Sequence, residues 1–437
     1  MEAYQVIKSD ESPFIDYGTI DFPMHHTDIA SEFVKVNAAI NKSTIVEHAL
    51  SSWDLNAKAT LVLRVCGTVE EAPRAHPHEL LQGVIQAATT SSAWMFCAGL
   101  DFGIANLLGQ TLGQRRHSCP SPLIGVVYFP SIQSCHQIGL NKKGRKALPG
   151  QRRVFCDSAP DQNLSTVSLQ PNHTHFVVVD GDEREFARLP AADKLVASRT
   201  KGFTFAHQLE RDATAHLSAS RLLLVMGGDQ TTLSEVLAYI EAGHGTVLLA
   251  SHTGGLAAAL SDFVQPNGSA QGRTQLSGGW QPHAATFHRI KHLIQESKSR
   301  WPVIECTDAD RAEDIRNTIL DLVMVRTPSI KDRVIKCVRW NDAARLGREI
   351  SSMTMWDPGE QFTAAWTLTQ CVSHGGLPPP TRMTACLHTR LHTRRHERLH
   401  ARVRLHACVR SHHAHVHACA NACAPAYKMP WPNVLIA

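Results

Sequence analysis

An alternation running through the middle of the chain restricts its fold more than any other feature. Short, continuously apolar runs lie at 60–66, 93–97, 123–129, 174–180, 221–226, 246–250 and 302–306. Between most of them, at 78–88, 101–112, 205–216, 231–242, 255–263, 285–297 and 311–324, the residues read as helices. A strand that is apolar on both faces must be covered on both, and a helix between two such strands makes the crossover that parallel pairing requires. The pattern predicts an α/β domain, a doubly wound parallel sheet of Rossmann-like type with helices on either side.

At 437 residues the chain is longer than one such domain, and shifts in composition divide it. Residues 1–50 are polar and mixed, with a helix expected around 29–38. The α/β domain is expected over 51–328. Across 329–375 the apolar groups Val334, Ile335, Val338 and Leu346 fall at helical spacing, and a second helix is expected at 361–372. This stretch reads as the start of an α-helical module. In 376–437 His, Arg, Ala and Cys recur in near-repeats, with too few aliphatic and aromatic residues for a core, so a disordered tail is expected.

Charge follows the same division. The net charge is +5, yet the tail alone holds eight Arg and one Lys against a single acid, Glu397, which leaves the rest at −3. A nucleic-acid reading of the whole protein is thereby excluded, and any such contact is confined to the basic tail. No apolar run approaches the roughly eighteen residues of a membrane span, so none is expected. The first residues show no secretory leader, and the body of the chain has no C-x-x-C pair among its cysteines. Reduced thiols and a cytoplasmic location are expected. His388, His392, His396 and His400 recur every fourth residue in the tail, but nothing there would fix a coordination geometry, and no metal site is assigned.

In a doubly wound sheet, ligands bind outside the carboxyl ends of the strands, where helix N-termini present free N–H groups. Here those ends carry small residues: Gly67 and Thr68, Gly99 followed by Gly103, Gly227 and Gly228 followed by Thr231, and Ser251, Thr253 and Gly254. Glycine lets the backbone approach a phosphate, and a hydroxyl at a helix start caps the helix or donates to an anion. The set points to a small phosphate-bearing ligand; the same residues also serve βα turns on steric grounds alone. Asp180, with Gly181 and Asp182 after it, either binds a sugar hydroxyl or a metal, or simply forms a turn. Glu235 is either an acid near a ligand or a favourable charge near a helix start. Neither G-x-G-x-x-G nor a Walker lysine motif occurs, and no catalytic residue is assigned.

At these strand ends the chain resembles the cytoplasmic N-terminal SLOG-type domain of melastatin-type (TRPM) transient receptor potential cation channels, over about residues 53–353. The resemblance is carried by Trp53 with 61–67, by 87–94 running on to Gly99 and Gly103, by 169–181, by Gly227 and Gly228 with Thr231, and by 247–250 with Gly254. It implies a SLOG-type fold and a cytoplasmic regulatory domain that senses an ADP-ribose-like nucleotide and helps to gate a calcium-permeable pore, with channel subunits of the same family as partners. The sequence departs from the family at His252-Thr253-Gly254-Gly255, where a basic residue is missing. A lost charge-assisted hydrogen bond weakens anion binding by about 1.5–3 kcal/mol, so weak ligand binding is expected. The chain ends before any pore, and a truncated, non-conducting domain is expected. Two alternatives come from other classes. One is an enzyme of the same superfamily that cleaves nucleoside monophosphates. Ser234 stands where that enzyme's acid would be, and Glu235, one place later, is expected to point about 100° away. The other is a scaffold that joins channel subunits without binding a ligand.

Overall fold

The structure, a computed structural model, describes residues 13–22, 30–68, 77–115, 120–132, 152–155, 167–243, 245–264, 284–296, 304–309 and 311–353. The chain divides into two units, residues 1–327 and 328–437. The first opens with β1 (Asp16–Asp21), β2 (Ser31–Val36) and α1 (Lys42–Ser51). Next come β3 (Leu61–Thr68), α2 (Pro77–Ser91), β4 (Trp94–Cys97), α3 (Gly103–Gly113) and β5 (Leu123–Tyr128). β6 (Arg152–Phe155), β7 (His175–Val179), α4 (Glu183–Arg188) and α5 (Ala191–Leu217) follow. The unit closes with β8 (Ser220–Gly227), α6 (Gln230–Glu241), β9 (Thr246–Ala250), α7 (Gly255–Val264), α8 (Ala284–Glu296), β10 (Ile304–Thr307) and α9 (Ala312–Val325). In the second unit the helices α10 (Ile330–Arg339) and α11 (Ala343–Met353) pack on each other, joined by an ion pair from Arg333 to Glu349 at 2.8 Å.

The strands form one sheet in the order β10-β9-β8-β3-β4-β5-β7-β2-β1-β6. Every neighbouring pair is parallel except β1 with β2. From β3 the chain steps outward to β4 and β5, then returns to the other side of β3 with β8. The strand order reverses between β3 and β8, which is where this architecture opens a crevice.

The apolar runs are strands because both of their faces are covered. In β3, Leu61, Val62, Leu63 and Val65 are all within 1% of full burial. Val62 shares a core with Trp94, Phe96, Val126 and, from α5, Phe205 and Leu209. Leu223 and Val225 of β8 pack with Phe203, Leu233, Val236, Leu256 and Phe287. α2 packs on α3 and α9, covering the face to which Leu63 and Val65 turn.

Two expectations need correction. The helix expected around 29–38 is not formed by the described residues 30–38: 31–36 are β2, parallel to β7 with Phe33 opposite Phe176 and Val34 opposite Val177. Over so short a stretch the spacing of Phe33, Val34 and Val36 fits either period, and pairing with two neighbours decides it. The helix expected at 205–216 begins at Ala191 and has 27 residues; its first half is rich in Lys, Arg and Thr and shows no apolar stripe. The helix expected at 361–372 and the tail lie outside the described residues.

The carboxyl edge of the sheet is uneven at β4. Phe96 of β4 lies opposite Arg64, and Cys97 lies opposite Gly125 of β5. β4 ends there, while β3 and β5 continue to Thr68 and Tyr128. The short strand leaves a notch between two longer ones.

Candidate functional site

Where β3 meets β8 the two backbones come so close that only glycine fits. A β-carbon on Gly67 (φ +124°) would stand 1.9 Å from the Met226 carbonyl oxygen, and one on Gly227 (φ +57°) 2.1 Å from that of Thr68. The turn after β8 is then stitched to its neighbours. The Gly227 amide donates to Thr253 Oγ1 at 2.7 Å, and the Gly228 amide donates to Thr68 Oγ1 at 3.2 Å. Thr253 in turn donates to the Ala250 carbonyl at 2.6 Å, and the Gly254 amide donates to the Ser251 carbonyl at 3.2 Å.

Six of the expected residues, Gly67, Thr68, Gly227, Gly228, Thr253 and Gly254, therefore form one connected rim. Its amides at Gly227 and Gly228 are already taken by internal hydroxyls, which the sequence does not reveal. Gly103 opens α3 nearby, with the Gly67 carbonyl oxygen 4.0 Å from where its β-carbon would be. Gly99 packs backbone to backbone on β5: its β-carbon would lie 2.8 Å from the Gly125 Cα. Ser251 donates to the Thr307 carbonyl at 3.0 Å and also pairs with Asp308, tying the end of β9 to that of β10. Thr231 is half-buried in the first turn of α6. The helix is capped by the Asp229 carboxylate, which accepts from the Thr232 amide, while the Thr232 hydroxyl accepts from the Asp229 amide in return. Asp180 stands apart at the end of β7, three strands from β3, or about 14 Å at ordinary strand spacing, and is paired with Lys35 at 3.0 Å.

Beside this rim lies a shallow, open hollow with a cavity volume of about 40 Å³. It occupies the notch above β4. Arg64, Cys66 and Gly67 line it from β3, Ser198, Arg199 and Phe203 from α5, and Glu235 from α6, with Phe102 and Tyr128 among the apolar walls. Gly67 alone of the expected residues lines it.

The polar groups of the hollow are strongly coupled. Arg199, its side chain 9% exposed, donates to Asp229 Oδ2 at 2.5 Å and to Thr232 Oγ1 at 3.0 Å, with Glu235 3.9 Å away. Burial works to raise the Asp229 carboxyl, but the charge and hydrogen bonds of Arg199, with those of Thr232, hold it below its usual range. Burial pushes the Glu235 carboxyl above its usual range, against the pull of Arg64 and Arg199. Deeper in, Arg64 pairs with the fully buried Glu210 at 2.7 Å and lies 4.6 Å over the Phe203 ring. Its Nε has no hydrogen-bond partner among the described residues. Glu210 also receives Arg221 at 3.4 Å, whose guanidinium donates to His207 Nδ1 at 2.7 Å. Burial drives the Cys66 thiol well above its ordinary pKa, so it is a thiol rather than a nucleophilic thiolate near neutrality.

Glu235 thus faces the hollow, contrary to the expected 100° rotation away from it, and Ser234 is exposed. Arg64, Arg199, Asp229 and Thr232 were missed. A charge inside the run Leu61-Val-Leu-Arg64-Val-Cys66 is a visible signal for the first; Arg199 offers none, because the helix that carries it has no apolar stripe there.

Among the described residues no helix is long and apolar enough to cross a membrane, and no group of three or more His, Cys, Asp and Glu is arranged to hold a metal ion. A family model described as SLOG in TRPM matches residues 31–278. The transient receptor potential cation channel trpm of Drosophila melanogaster is 24% identical over 253 residues, which is 57% of this chain and 12% of that protein. Human transient receptor potential cation channel subfamily M member 7 is 28% identical over 187 residues, 41% of this chain and 9% of the relative. Human subfamily M member 5 is 25% identical over 255 residues, covering 54% and 20%. The chain spans between 9% and 20% of the lengths of these relatives.

Proposed function

This chain belongs to the family of SLOG domains found in TRPM channels, and from that premise we propose that it is a ligand-sensing regulatory domain. Its ligand is a small phosphate-bearing nucleotide of ADP-ribose type, its location is cytoplasmic, and its partners are channel subunits of the same family. One observation carries the reading: the glycine turns of β3 and β8 meet at the point where strand order reverses, beside a hollow with Arg199 at its rim. That is where this architecture binds nucleotides. Aromatic walls from Phe102, Tyr128 and Phe203 suit a base or ribose, and a few polar groups in an apolar cleft are the usual make-up of a small-molecule site.

Isothermal titration of the full chain with ADP-ribose tests the reading. Weak, saturable heat is expected, because the Gly227 and Gly228 amides must leave their threonine partners to meet a phosphate. Absence of heat at millimolar ligand rejects it.

A second reading is favoured by the position of Glu235. A carboxyl that burial biases towards its protonated form, facing a cleft beside a glycine turn, suits general-acid cleavage of a nucleoside monophosphate. Release of free base from a panel of nucleoside monophosphates at micromolar protein would establish that activity, and its absence removes the reading.

A further inference from the structure

We propose that the buried arginine cluster between β3, β8 and α5 holds a monoatomic anion, chloride, at the Nε–H groups of Arg64 and Arg221. The two arginines stand on paired strands and on one face of the sheet. Val62 is opposite Arg221, and Arg64 lies two residues further along β3, a diagonal of about 8 Å at ordinary strand spacing. Both are drawn to a single carboxylate. Glu210 of α5 accepts from Arg64 through Oε1 at 2.7 Å and from Arg221 through Oε2 at 3.4 Å. All three side chains are at most 5% exposed.

Charge in this cluster does not balance. Two guanidiniums, which stay protonated at any ordinary pH, meet one carboxylate. Arg221 spends its shorter hydrogen bond, 2.7 Å, on Nδ1 of His207. That imidazole accepts in its neutral form, its pKa pushed down to about 3 by burial and by the neighbouring arginines. Glu235, another buried carboxyl on this side of the sheet, faces Arg199 at 3.9 Å, and burial favours its uncharged form. An unbalanced charge in a protein interior is strongly unfavourable, so the cluster calls for a counter-charge.

The unused hydrogen-bonding groups indicate its kind. Nε of Arg64, Nε of Arg221 and the Tyr239 hydroxyl are buried with no hydrogen-bond partner among the described residues. They belong to one cluster: the arginines share Glu210, and the Arg221 guanidinium lies 4.1 Å over the Tyr239 ring. Both Nε groups can only donate, and a phenol can donate as well. The deficit is one of acceptors. A water molecule would bring two more O–H donors to a place short of acceptors, and no charge. A halide accepts from every side and carries the missing negative charge. Phe203 and Tyr239 cover the faces of the two guanidiniums, so only guanidinium edges remain for a guest, and one spherical atom can meet edge donors from two directions. Arg64 also lines the hollow, which gives a small ion a way in.

The test is thermal melting of the full chain at constant ionic strength, with sodium isethionate replaced stepwise by sodium chloride, for the wild type and Arg221→Met. The wild-type Tm is expected to rise saturably, by about 3 °C at chloride near ten times its dissociation constant. R221M keeps the pair between Arg64 and Glu210 but loses the surplus charge, and its Tm is expected not to respond to chloride. A wild-type Tm indifferent to chloride overturns the proposal, as does an equal rise in R221M, which would place the ion elsewhere. Should R221M fail to fold, wild-type crystals grown in sodium bromide decide. An anomalous peak within hydrogen-bonding reach of both Nε atoms supports the site; water at those donors, or bromide on the surface only, overturns it. No arm of the test contains a nucleotide, so its outcome is independent of the ligand read above.

Discussion

A methyl group at Gly67 would collide with the Met226 carbonyl, and one at Gly227 with that of Thr68. These glycines are required by the close approach of two strands, whatever else the rim binds. The groups that give the hollow its chemistry are charged residues buried behind it, and their state depends on pH. His207 accepts a hydrogen bond from Arg221, and burial, reinforced by Arg221, Arg64 and Arg211, lowers its pKa to about 3. The imidazole is neutral in the folded protein at pH 5, whereas in the unfolded chain it protonates near its ordinary value of about 6.5. Between those limits the unfolded state binds more protons, so stability is fully present above the upper limit and falls as pH drops towards the lower. Urea-unfolding midpoints of the wild type and His207→Gln from pH 7.5 to 4 check this. The wild type should lose more stability than the variant over that range; parallel curves would contradict the assignment. At this scale the sequence was partly legible. Arg64 stands out as a charge inside an apolar strand, but its carboxylate partner is 146 residues away, and no local pattern announces such a pairing.

Among the elements, β4 and α5 make the site. β4 stops at Cys97 while its neighbours run on, and the notch above it exists because of that difference in length. The strand-helix alternation from β3 onward was readable because each strand is apolar on both faces and each turn is marked by small residues. β2 was not, since six residues do not distinguish a period of two from one of 3.6. The front half of α5 was unreadable for a different reason: of its described side chains, Ser198 and Arg199 face the notch while Asp193, Val196 and Thr200 are exposed, and Arg199 was lost with it. The back half binds the sheet through Glu210, fully buried between Arg64 of β3 and Arg221 of β8. Glu210→Ala would leave two arginines, each 4% exposed, without their carboxylate. Breaking a buried pair in this way costs about 3–5 kcal/mol, and denaturant unfolding should show a loss of that size. A change below about 1 kcal/mol, the scale of a surface ion pair, would mean that water already reaches the cluster.

The whole molecule joins an α/β scaffold to charges that the alternation of strands and helices does not predict. The doubly wound sheet follows from the alternation of strands and helices, and its strand order reverses between β3 and β8, where the glycine rim lies. The arginine-carboxylate network is built from β3, α5, β8 and α6 together and is visible only when they are assembled. The hollow above β4 is proposed to take a phosphate-bearing nucleotide. Hydrogen–deuterium exchange of the full chain with and without ADP-ribose tests it most directly, since slowed exchange locates the ligand. Slower exchange is expected in 64–68, 98–105, 198–203 and 227–235, with the opposite edge of the sheet unchanged. Unaltered exchange in those four segments at saturating ligand, or slowing confined to other parts of the chain, would contradict it.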